Sequence, residues 1–187
     1  RETGIEYDHL TRGILHYFTS KKAFEDSMEP TRVMRELGCE RRIIDIEEAA
    51  RIEPALAHLA PEIVGATYTS EDESGDAHAF TRQLAERCEE NGVRFCYGTR
   101  VQRLHVNDRG MTGVEYNDAT GAYQLATADA YVLALGSYSR AMAKQAGLSL
   151  AVYPVKGYSA SLSILDPERA PMVSLTDDAY KMVFTRL

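Results

Sequence analysis

The chain has 187 residues, and its 21 basic and 28 acidic side chains give a formal net charge of −7. This acidic balance argues against a nucleic-acid-binding surface. Hydrophobic residues make up 44% of the chain and charged residues 26%, which is the composition of a soluble globular protein and excludes a disordered or fibrous one. A chain of this length can bury a core, either as one domain or as two small lobes.

The cysteines and the chain ends indicate where the protein works and how much of it is present. Cys39, Cys88 and Cys96 form neither a CxxC pair nor an even-numbered disulfide framework, which predicts a reduced, intracellular setting. The longest strongly apolar stretch has the length of one strand, whereas a membrane-spanning helix needs roughly 20 apolar residues. The chain lacks an initiator Met and a signal-peptide pattern, and it ends within a strand-like run. We therefore expect an internal piece of a longer protein.

The first part of the chain predicts a strand followed by a helix. Residues 13–18 are rich in β-formers, and the polar residues after them suit the N-cap of a helix. Apolar residues then recur every three to five positions until Gly38, which is a stop signal. Pro30 predicts a kink or a restart within this helix.

Two further helices are predicted from their capping residues. Asp45, followed three positions later by Glu48, has the form of a capping box and opens a short helix that ends near Glu53. Asp76 is the N-cap of a longer helix with one apolar face, and the Asn-Gly pair at 91–92 ends it.

The section after the second of these helices has β character. Residues 93–97 and 103–106 alternate apolar with polar side chains, which predicts strands. Turn signals at 107–110 and 117–121 divide the following section into short segments. We predict a β-meander of three strands.

The last third of the chain returns to α/β character. Residues 130–135 are apolar without alternation, which predicts a strand buried on both faces that stops at Gly136. A short helix is expected at 141–147. The alternating run at 152–162 predicts a strand, with 180–184 as its neighbour. A meander in place of a crossover helix between buried strands is typical of dinucleotide-binding flavoproteins.

Several motifs that carry chemistry are absent from the sequence. No two of the thirteen glycines lie two positions apart, so GxGxxG cannot occur, and no Gly-Lys-Ser/Thr forms a P-loop. No two histidines lie three or four residues apart, so we predict no helical metal-ligand pair. Residues 136–139 follow a predicted strand as a nucleophile elbow does, but the second glycine of GxSxG is missing, and we interpret the serines as helix caps.

Gly136 has two interpretations. It is either the turn after a buried strand or a point where the backbone approaches a ligand. Open α/β sheets bind nucleotides at the carboxyl ends of their strands, which is where the second interpretation would place this glycine. The preceding meander favours the ligand-binding interpretation.

Six motifs, in order along nearly the whole chain, point to a known family. They are Glu53-Pro54-Ala55-Leu56, Ser74-Gly75-Asp76, Phe80-Thr81-Arg82-Gln83-Leu84-Ala85, Asp129-Ala130-Tyr131-Val132, Leu135-Gly136-Ser137-Tyr138-Ser139 and Tyr153-Pro154-Val155-Lys156-Gly157-Tyr158-Ser159. Together they resemble the FAD-dependent glycine/D-amino acid oxidase superfamily and, within it, the D-amino acid dehydrogenase family of bacteria.

The resemblance implies an FAD cofactor and suggests which residues contact it. Family members bind the adenine partly through the backbone of a valine, and Val101 stands at the matching place. An Ala-Thr-Gly segment that approaches the flavin nucleotide in many relatives is Ala134-Leu135-Gly136 here. The leucine removes a hydroxyl contact and leaves the glycine in place. The glycine-rich pyrophosphate contacts and the arginine that pairs with the substrate carboxylate lie outside this region in relatives.

On the substrate side, the resemblance implies a role for Tyr180. It matches a tyrosine that lies beside the bound amino acid in related glycine oxidases. Lys156 and Tyr158 are weaker candidates near the junction of the two lobes, since a tyrosine on an alternating strand is usually half-buried for packing.

The implied activity is oxidation of a D-amino acid by hydride transfer to FAD, with the electrons passed to a respiratory acceptor. The imino acid product hydrolyses to a 2-oxo acid and ammonia. The flavin supplies the difficult chemistry, so that no dedicated side-chain base is required. Two alternatives stay open, namely a glycine, sarcosine or other secondary-amine oxidase on the same fold, and a folded, inactive fragment without bound flavin.

The implied fold is mixed α/β. It is part of a dinucleotide-binding FAD domain with a β-meander, interleaved with an antiparallel-sheet substrate domain. We assign 1–70 mainly to the substrate-binding lobe, 71–150 to the FAD-binding lobe and 151–187 to strands of the substrate-binding lobe. We expect a cytoplasmic protein without a nucleic-acid partner. Peripheral attachment to the inner face of the bacterial inner membrane is a further implication of the respiratory acceptor.

Overall fold

The structure is a computed structural model and describes residues 4–167 and 169–186. It is mixed α/β, which confirms the predicted fold class. In chain order the helices and strands are β1 (Ile14–Phe18), α1 (Lys21–Glu36), β2 (Arg41–Ile44), α2 (Ile46–Ile52), β3 (Gly65–Thr69), α3 (Ala77–Glu90), β4 (Arg100–Asn107), β5 (Gly110–Asn117), β6 (Tyr123–Ala126), α4 (Ser139–Gln145), β7 (Ser174–Asp177) and β8 (Met182–Phe184).

The chain divides into two compact units. The first comprises the described residues of Arg1–Asn91 and Leu162–Leu187, and the second comprises Gly92–Ser161. The unit boundaries therefore fall later in the chain than the lobe boundaries predicted after 70 and 150. Which ligand each lobe binds stays a prediction. The expectation of an internal piece depends in part on the terminal residues. Residues 1–3 and 187 lie outside the described residues.

The first unit is built on a five-stranded mixed sheet with the strand order β2-β3-β1-β7-β8. β1 and β7 run parallel, with Tyr17 opposite Asp177, and the other pairs are antiparallel. Parallel neighbours need a crossover connection. Here that connection contains all of the second unit, because β1 and β7 belong to the two separate segments of the first unit.

Local capping explains where α1 begins and ends. The Ser20 hydroxyl oxygen accepts a hydrogen bond from the backbone N–H of Ala23 at 3.4 Å. At the other end Gly38 adopts a left-handed φ of 92°, and the N–H of Cys39 reaches back to the carbonyl of Met34, as in a Schellman motif. The helix is continuous through Pro30, so the predicted restart is wrong. An interior proline lacks a backbone hydrogen-bond donor and its ring crowds the carbonyl four residues earlier, but the helix continues on both sides of it.

The other two predicted caps are confirmed. The Asp45 carboxylate accepts from the N–H of Glu48 at 2.8 Å and opens α2. The Asp76 carboxylate accepts from the N–H groups of Ala79 and His78, at 2.9 and 2.8 Å, and opens α3. These bonds hold the pKa of the Asp76 carboxyl below its ordinary value.

The core of the first unit lies between one face of the sheet and the segment containing α2 and a 3₁₀ turn at Pro54–His58. It is formed by apolar side chains that are less than one-tenth exposed, namely Leu15, Tyr17, Ile44, Ala49, Leu56, Ile63, Ala66, Val173 and Leu175. Successive strand residues point to opposite faces. Leu15 and Tyr17 therefore face this core, whereas His16 faces α1.

A buried carboxylate fastens this core to the start of β7. Glu53 is 1% exposed. One of its oxygens accepts the N–H of Ala55 at 3.0 Å, and the other accepts the N–H groups of Met172 and Val173, the latter at 3.0 Å. A buried charge is tolerated when hydrogen bonds satisfy it. The Glu-Pro-Ala-Leu motif therefore has a structural role in this chain.

The N-terminal segment packs along α3, which places this helix in the first unit. The Tyr7 ring meets the Phe80 ring edge-on with 5.1 Å between centroids. A Cβ at position 75 would lie 2.5 Å from the Tyr7 ring, so the glycine of the Ser-Gly-Asp motif makes room for this contact. The N–H of Asp76 donates to the Tyr7 carbonyl at 2.7 Å.

The second unit contains the predicted meander. Its three-stranded sheet has the order β4-β5-β6, with antiparallel pairing throughout. The strands predicted at 93–97 and 130–135 are wrong, because neither segment is a strand. A strand requires a neighbour for its backbone hydrogen bonds, and no described residue pairs with either segment. Val132, in the predicted buried strand, is 90% exposed.

Strand pairing near the end of the chain also differs from the prediction. Residues 152–162 form no strand, and the neighbour of β8 is β7, which pairs Leu175 with Phe184. Short helix α4 lies close to its predicted position. Within the described residues, no helix combines the length and the apolar character that crossing a bilayer requires.

We expect Glu53→Gln to lower the free energy of unfolding by about 2–3 kcal/mol, because the variant loses the charge that accepts three backbone N–H groups. Equilibrium urea denaturation measures this change. Glu48→Gln is the matched control, since Glu48 forms an exposed ion pair with Arg42 at 2.8 Å, and such pairs contribute about 0–1 kcal/mol. Equal effects of the two substitutions would contradict the proposed role of Glu53.

We expect Gly65→Ala to lower the free energy of unfolding by about 1–3 kcal/mol through overpacking. A Cβ at this position would lie less than 3.0 Å from three atoms of the Phe24 ring. Gly157→Ala is the control, because a Cβ there meets nothing within 4 Å and the backbone is not left-handed. That substitution should change stability by less than about 0.5 kcal/mol. Denaturation curves of the two variants test the difference.

Candidate functional site

Val101 lies on an outer strand of the meander. It is part of β4, is half-buried and stands opposite Tyr116 of β5. A register shift between Val101 and Arg103 marks a bulge, and bulges often occur next to functional sites. Among the residues that the structure describes, β4 pairs with a strand on one side only, so backbone groups of its other edge are available to side chains or ligands.

α4 uses part of this edge. The Gln145 side chain accepts the N–H of Leu104 at 3.0 Å and donates to the carbonyl of Gln102 at 3.4 Å. The helix that follows Gly136 is therefore docked against the strand that carries Val101. The structure brings the two predicted cofactor-binding segments into one compact unit.

Gly136 has a left-handed φ of 53°, which favours glycine. A Cβ at this position would meet nothing within 4 Å, so the backbone lies open. The segment before it, including the exposed Ala134, is not a strand. The expected position at the carboxyl end of a sheet strand is therefore not found, while the open, left-handed backbone is.

Neither Ser137 nor Ser139 caps the next helix, because α4 begins without a side-chain cap hydrogen bond. The Ser139 hydroxyl accepts the N–H of Leu135 at 3.0 Å, within the turn that precedes α4. Ser139 is buried, and its hydrogen bond fixes the backbone on both sides of Gly136. The predicted helix-cap role of this serine is wrong, because its oxygen bonds a donor before the helix.

These features fit a nucleotide that is contacted through backbone atoms. β4 offers a free edge near Val101, and the Gly136 backbone is unobstructed. Neither position offers a charged side chain. The roles of Val101, Ala134 and Gly136 stay predictions.

Tyr180 lies in the first unit, on the turn between β7 and β8. It is 77% exposed. The next residue, Lys181, has a left-handed φ of 54°, which is uncommon for a non-glycine residue and marks a constrained turn. The Lys181 ammonium lies 2.8 Å from the Asp178 carboxylate.

A buried pair lies directly beneath this turn. The Tyr17 hydroxyl donates to the Asp177 carboxylate at 2.8 Å, and both residues are less than one-tenth exposed. The other Asp177 oxygen accepts the N–H groups of Ala179 and Tyr180. Burial and the Asp177 carboxylate raise the pKa of Tyr17 to about 12.

A cleft of about 390 Å³ opens between α1 and the adjacent sheet face, and Asp178 forms part of its wall. His16 and Arg41 also line it. Burial lowers the pKa of the His16 imidazole, and the Arg41 guanidinium lowers it further, so the ring is neutral at pH 7. Arg41 donates to the Thr67 hydroxyl at 2.8 Å.

Sequence reasoning did not find this cleft or the Tyr17–Asp177 pair. The cleft residues come from β1, α1, β2 and the β7–β8 turn, and Tyr17 and Asp177 are 160 positions apart. Strand alternation places the His16 side chain on the other face of the sheet from Leu15 and Tyr17. This alternation is the signal by which the sequence could have indicated the His16 side of the cleft. Among the residues that the structure describes, no three histidine, cysteine or carboxylate side chains group as metal ligands.

Comparison with known proteins assigns the family. The sequence model described as DAO, FAD dependent oxidoreductase, matches residues 1–187. The chain is 46% identical over 186 residues to a D-amino acid dehydrogenase of Dechloromonas aromatica, covering 100% of the chain and 44% of the relative. It is 44% identical over 186 residues to a D-amino acid dehydrogenase of Methylobacterium sp., covering 100% of the chain and 43% of the relative. The chain thus spans less than half the length of these curated relatives.

Solved structures share the fold of this chain. L-proline dehydrogenase from P. horikoshii superposes with a TM-score of 0.75 at 17% identity, covering 100% of this chain and 48% of that one. Glycine oxidase from Geobacillus kaustophilus superposes with a TM-score of 0.64 at 26% identity, covering 81% of this chain and 39% of that one. With the match along its whole length and the fold in agreement, the chain belongs to the DAO family of FAD-dependent oxidoreductases.

Proposed function

We propose that the protein that contains this chain is an FAD-dependent D-amino acid dehydrogenase. The observation that carries the proposal is identity of 40–46% along essentially the whole chain to relatives with that name. When bound, FAD would accept the hydride from the substrate Cα, leaving an imino acid that hydrolyses to a 2-oxo acid and ammonia.

The second unit supplies the proposed cofactor contacts. Val101 would contact the adenine through its backbone at the free edge of β4, and the Ala134–Gly136 segment would approach the flavin nucleotide. The left-handed, unobstructed backbone at Gly136 supports this role, because a ligand can come closer to a glycine than to any other residue. Leu135 offers no hydroxyl, so these contacts are made by backbone and van der Waals surface.

The first unit supplies the proposed substrate contact. Tyr180 projects from a constrained turn and is mostly exposed, which leaves its phenol ring available to a bound amino acid. A phenol offers an apolar ring and a hydrogen-bonding hydroxyl. Through these two features it orients the substrate, and no proton transfer is assigned to it.

The three-segment assignment of lobes is retained as part of the proposal. Residues 1–70 and 151–187 contribute mainly to substrate binding, and 71–150 to FAD binding. α3 has its contacts in the first unit, and the cofactor residues lie in the second. Which ligand each unit binds is therefore part of the proposal.

We further propose that the electrons pass to a respiratory acceptor in place of oxygen and that the protein is cytoplasmic, with peripheral attachment at the inner membrane. The word dehydrogenase in the relatives' names supports this choice of acceptor. Parallel assays of the full-length protein with a quinone and with oxygen as sole acceptor test it. Faster turnover with oxygen would favour an amine oxidase.

We propose that the 187-residue chain alone folds without retaining flavin, because the pyrophosphate-binding glycines and the carboxylate-binding arginine are not among its motifs. The purified chain is incubated with FAD, and the unbound FAD is removed by dialysis. An absorbance spectrum of the dialysed chain then tests this directly. A stoichiometric flavin band would refute it. The full-length protein is the positive control.

We expect Tyr180→Phe in the full-length protein to lower kcat/KM for D-alanine by about tenfold, because the hydroxyl that orients the substrate is lost. Steady-state kinetics with an artificial acceptor measure the change. Tyr123→Phe is the control, since Tyr123 is 62% exposed on β6 of the meander. Unchanged kinetics in Tyr180→Phe would remove the substrate assignment of this residue.

We expect Gly136→Ala to reduce the flavin content of the full-length protein, because a Cβ would block close approach of the nucleotide. The left-handed backbone adds a strain of about 1–2 kcal/mol. Gly147→Ala is matched to it, with φ of 73° and an equally open environment in the same unit. Equal loss of flavin in the two variants would show that strain, and not contact with the cofactor, causes the effect.

A further inference from the structure

One carboxylate connects the sheet to the turn that carries Tyr180. Asp177 accepts the Tyr17 hydroxyl at one oxygen, at 2.8 Å. At the other oxygen it accepts the N–H of Ala179 at 2.9 Å and that of Tyr180 at 3.2 Å. Every hydrogen bond that the structure gives this side chain thus holds either β1 or the turn.

The turn is short and is closed by the strands on either side. Asp177 pairs with Met182 across the β7–β8 hairpin, so residues 178–181 alone form the loop. Lys181 is left-handed, and Tyr180 is oriented through its backbone because most of its side chain is exposed. A turn held in an uncommon conformation needs surrounding structure to maintain it.

Tyr17 supplies that structure from the interior of the sheet. It stands opposite Asp177 in the parallel β1–β7 ladder and opposite Ala66 in the antiparallel β1–β3 ladder. Its backbone is therefore fixed on both sides. Because its pKa is raised to about 12, the phenol keeps its proton at neutral pH and remains a donor to the carboxylate.

We propose that Tyr17 and Asp177 are positioning residues that set the orientation of Tyr180 toward the substrate. The inference rests on the proposed function, which places Tyr180 at the substrate. Loss of the Tyr17 hydroxyl leaves a buried carboxylate oxygen without its donor, and the carboxylate then turns to find another partner. The N–H groups of Ala179 and Tyr180 then no longer have a well-placed acceptor, and the Tyr180 ring is displaced.

The test is a double-mutant cycle in the full-length holoenzyme with Tyr17→Phe, Tyr180→Phe and the double variant. We expect Tyr17→Phe to lower kcat/KM for D-alanine roughly tenfold in the wild-type background, because small misplacements of an orienting group are costly. It should cause less than a twofold change in the Tyr180→Phe background, since the group that it positions is already absent. Non-additive effects of this kind identify coupled residues.

A second measurement does not depend on turnover. Hydrogen exchange followed by mass spectrometry on a peptide covering 174–184 should be faster in Tyr17→Phe, because the amides of Ala179 and Tyr180 lose their ordered acceptor. Tyr68→Phe is the matched control. Its hydroxyl donates to the Arg12 carbonyl at 2.8 Å from the same sheet, away from the β7–β8 turn. It should leave both the exchange of this peptide and kcat/KM unchanged.

The possible outcomes separate the positioning role from the proposed function. Equal losses of kcat/KM from Tyr17→Phe in both backgrounds, or no change in kinetics and exchange, would overturn the positioning role while D-amino acid turnover stands. A neutral Tyr180→Phe variant would overturn it together with the substrate assignment of Tyr180. If the wild-type protein oxidises no D-amino acid, the proposed function fails. The exchange experiment then still decides whether Tyr17 orders the turn.

Discussion

The Glu53 carboxylate is the contact on which the first unit depends. It is 1% exposed and accepts N–H groups from Met172 and Val173, which follow it by 119 and 120 positions. An unpaired carboxylate in this environment costs several kcal/mol, so the charge is compatible with folding only when β7 is in place. That charge in turn anchors the two residues that lead into β7. Each segment therefore specifies the position of the other.

Fixing the start of β7 fixes what lies at its end. The strand has four residues, and its parallel pairing with β1 brings Asp177 opposite Tyr17. The buried hydrogen bond between those two side chains continues the constraint into the β7–β8 turn. An exposed tyrosine can thus have a defined position although little of its own surface is packed, because its backbone belongs to a buried network.

Signals that act within a few residues could be predicted from the sequence. Asp45, Asp76 and Gly38 mark helix ends correctly because the hydrogen bonds at each end are completed within one turn of the chain. The meander was also predicted, since antiparallel hairpins pair neighbours in the chain. β3, with the sequence Gly-Ala-Thr-Tyr-Thr, was missed. Its strand character comes from partners on both sides, β1 and β2, and composition does not reveal them.

The same reasoning explains the strands that were predicted and are not present. An apolar run such as 130–135 predicts burial, but a strand exists only where another backbone completes its ladder. Within the described residues no such partner exists for this run, and Val132 is exposed. Periodicity therefore reports the surface that a segment could bury. It contains no information about which other segment provides the covering surface.

The proposed cofactor-binding residues and the proposed substrate-binding residue differ in the interactions that define their positions. This difference determines how far the sequence could predict them. Val101 and Gly136 would act through their backbones, so a strand and a glycine are enough to nominate them, and the structure shows a free edge and a left-handed residue there. Tyr180 is one of eleven tyrosines, and no local pattern distinguishes it. What distinguishes it physically is the carboxylate of Asp177 beneath its backbone, and that carboxylate is oriented by Tyr17 from 160 positions away. Only a resemblance could point to the residue, and only the fold could supply a reason for its position.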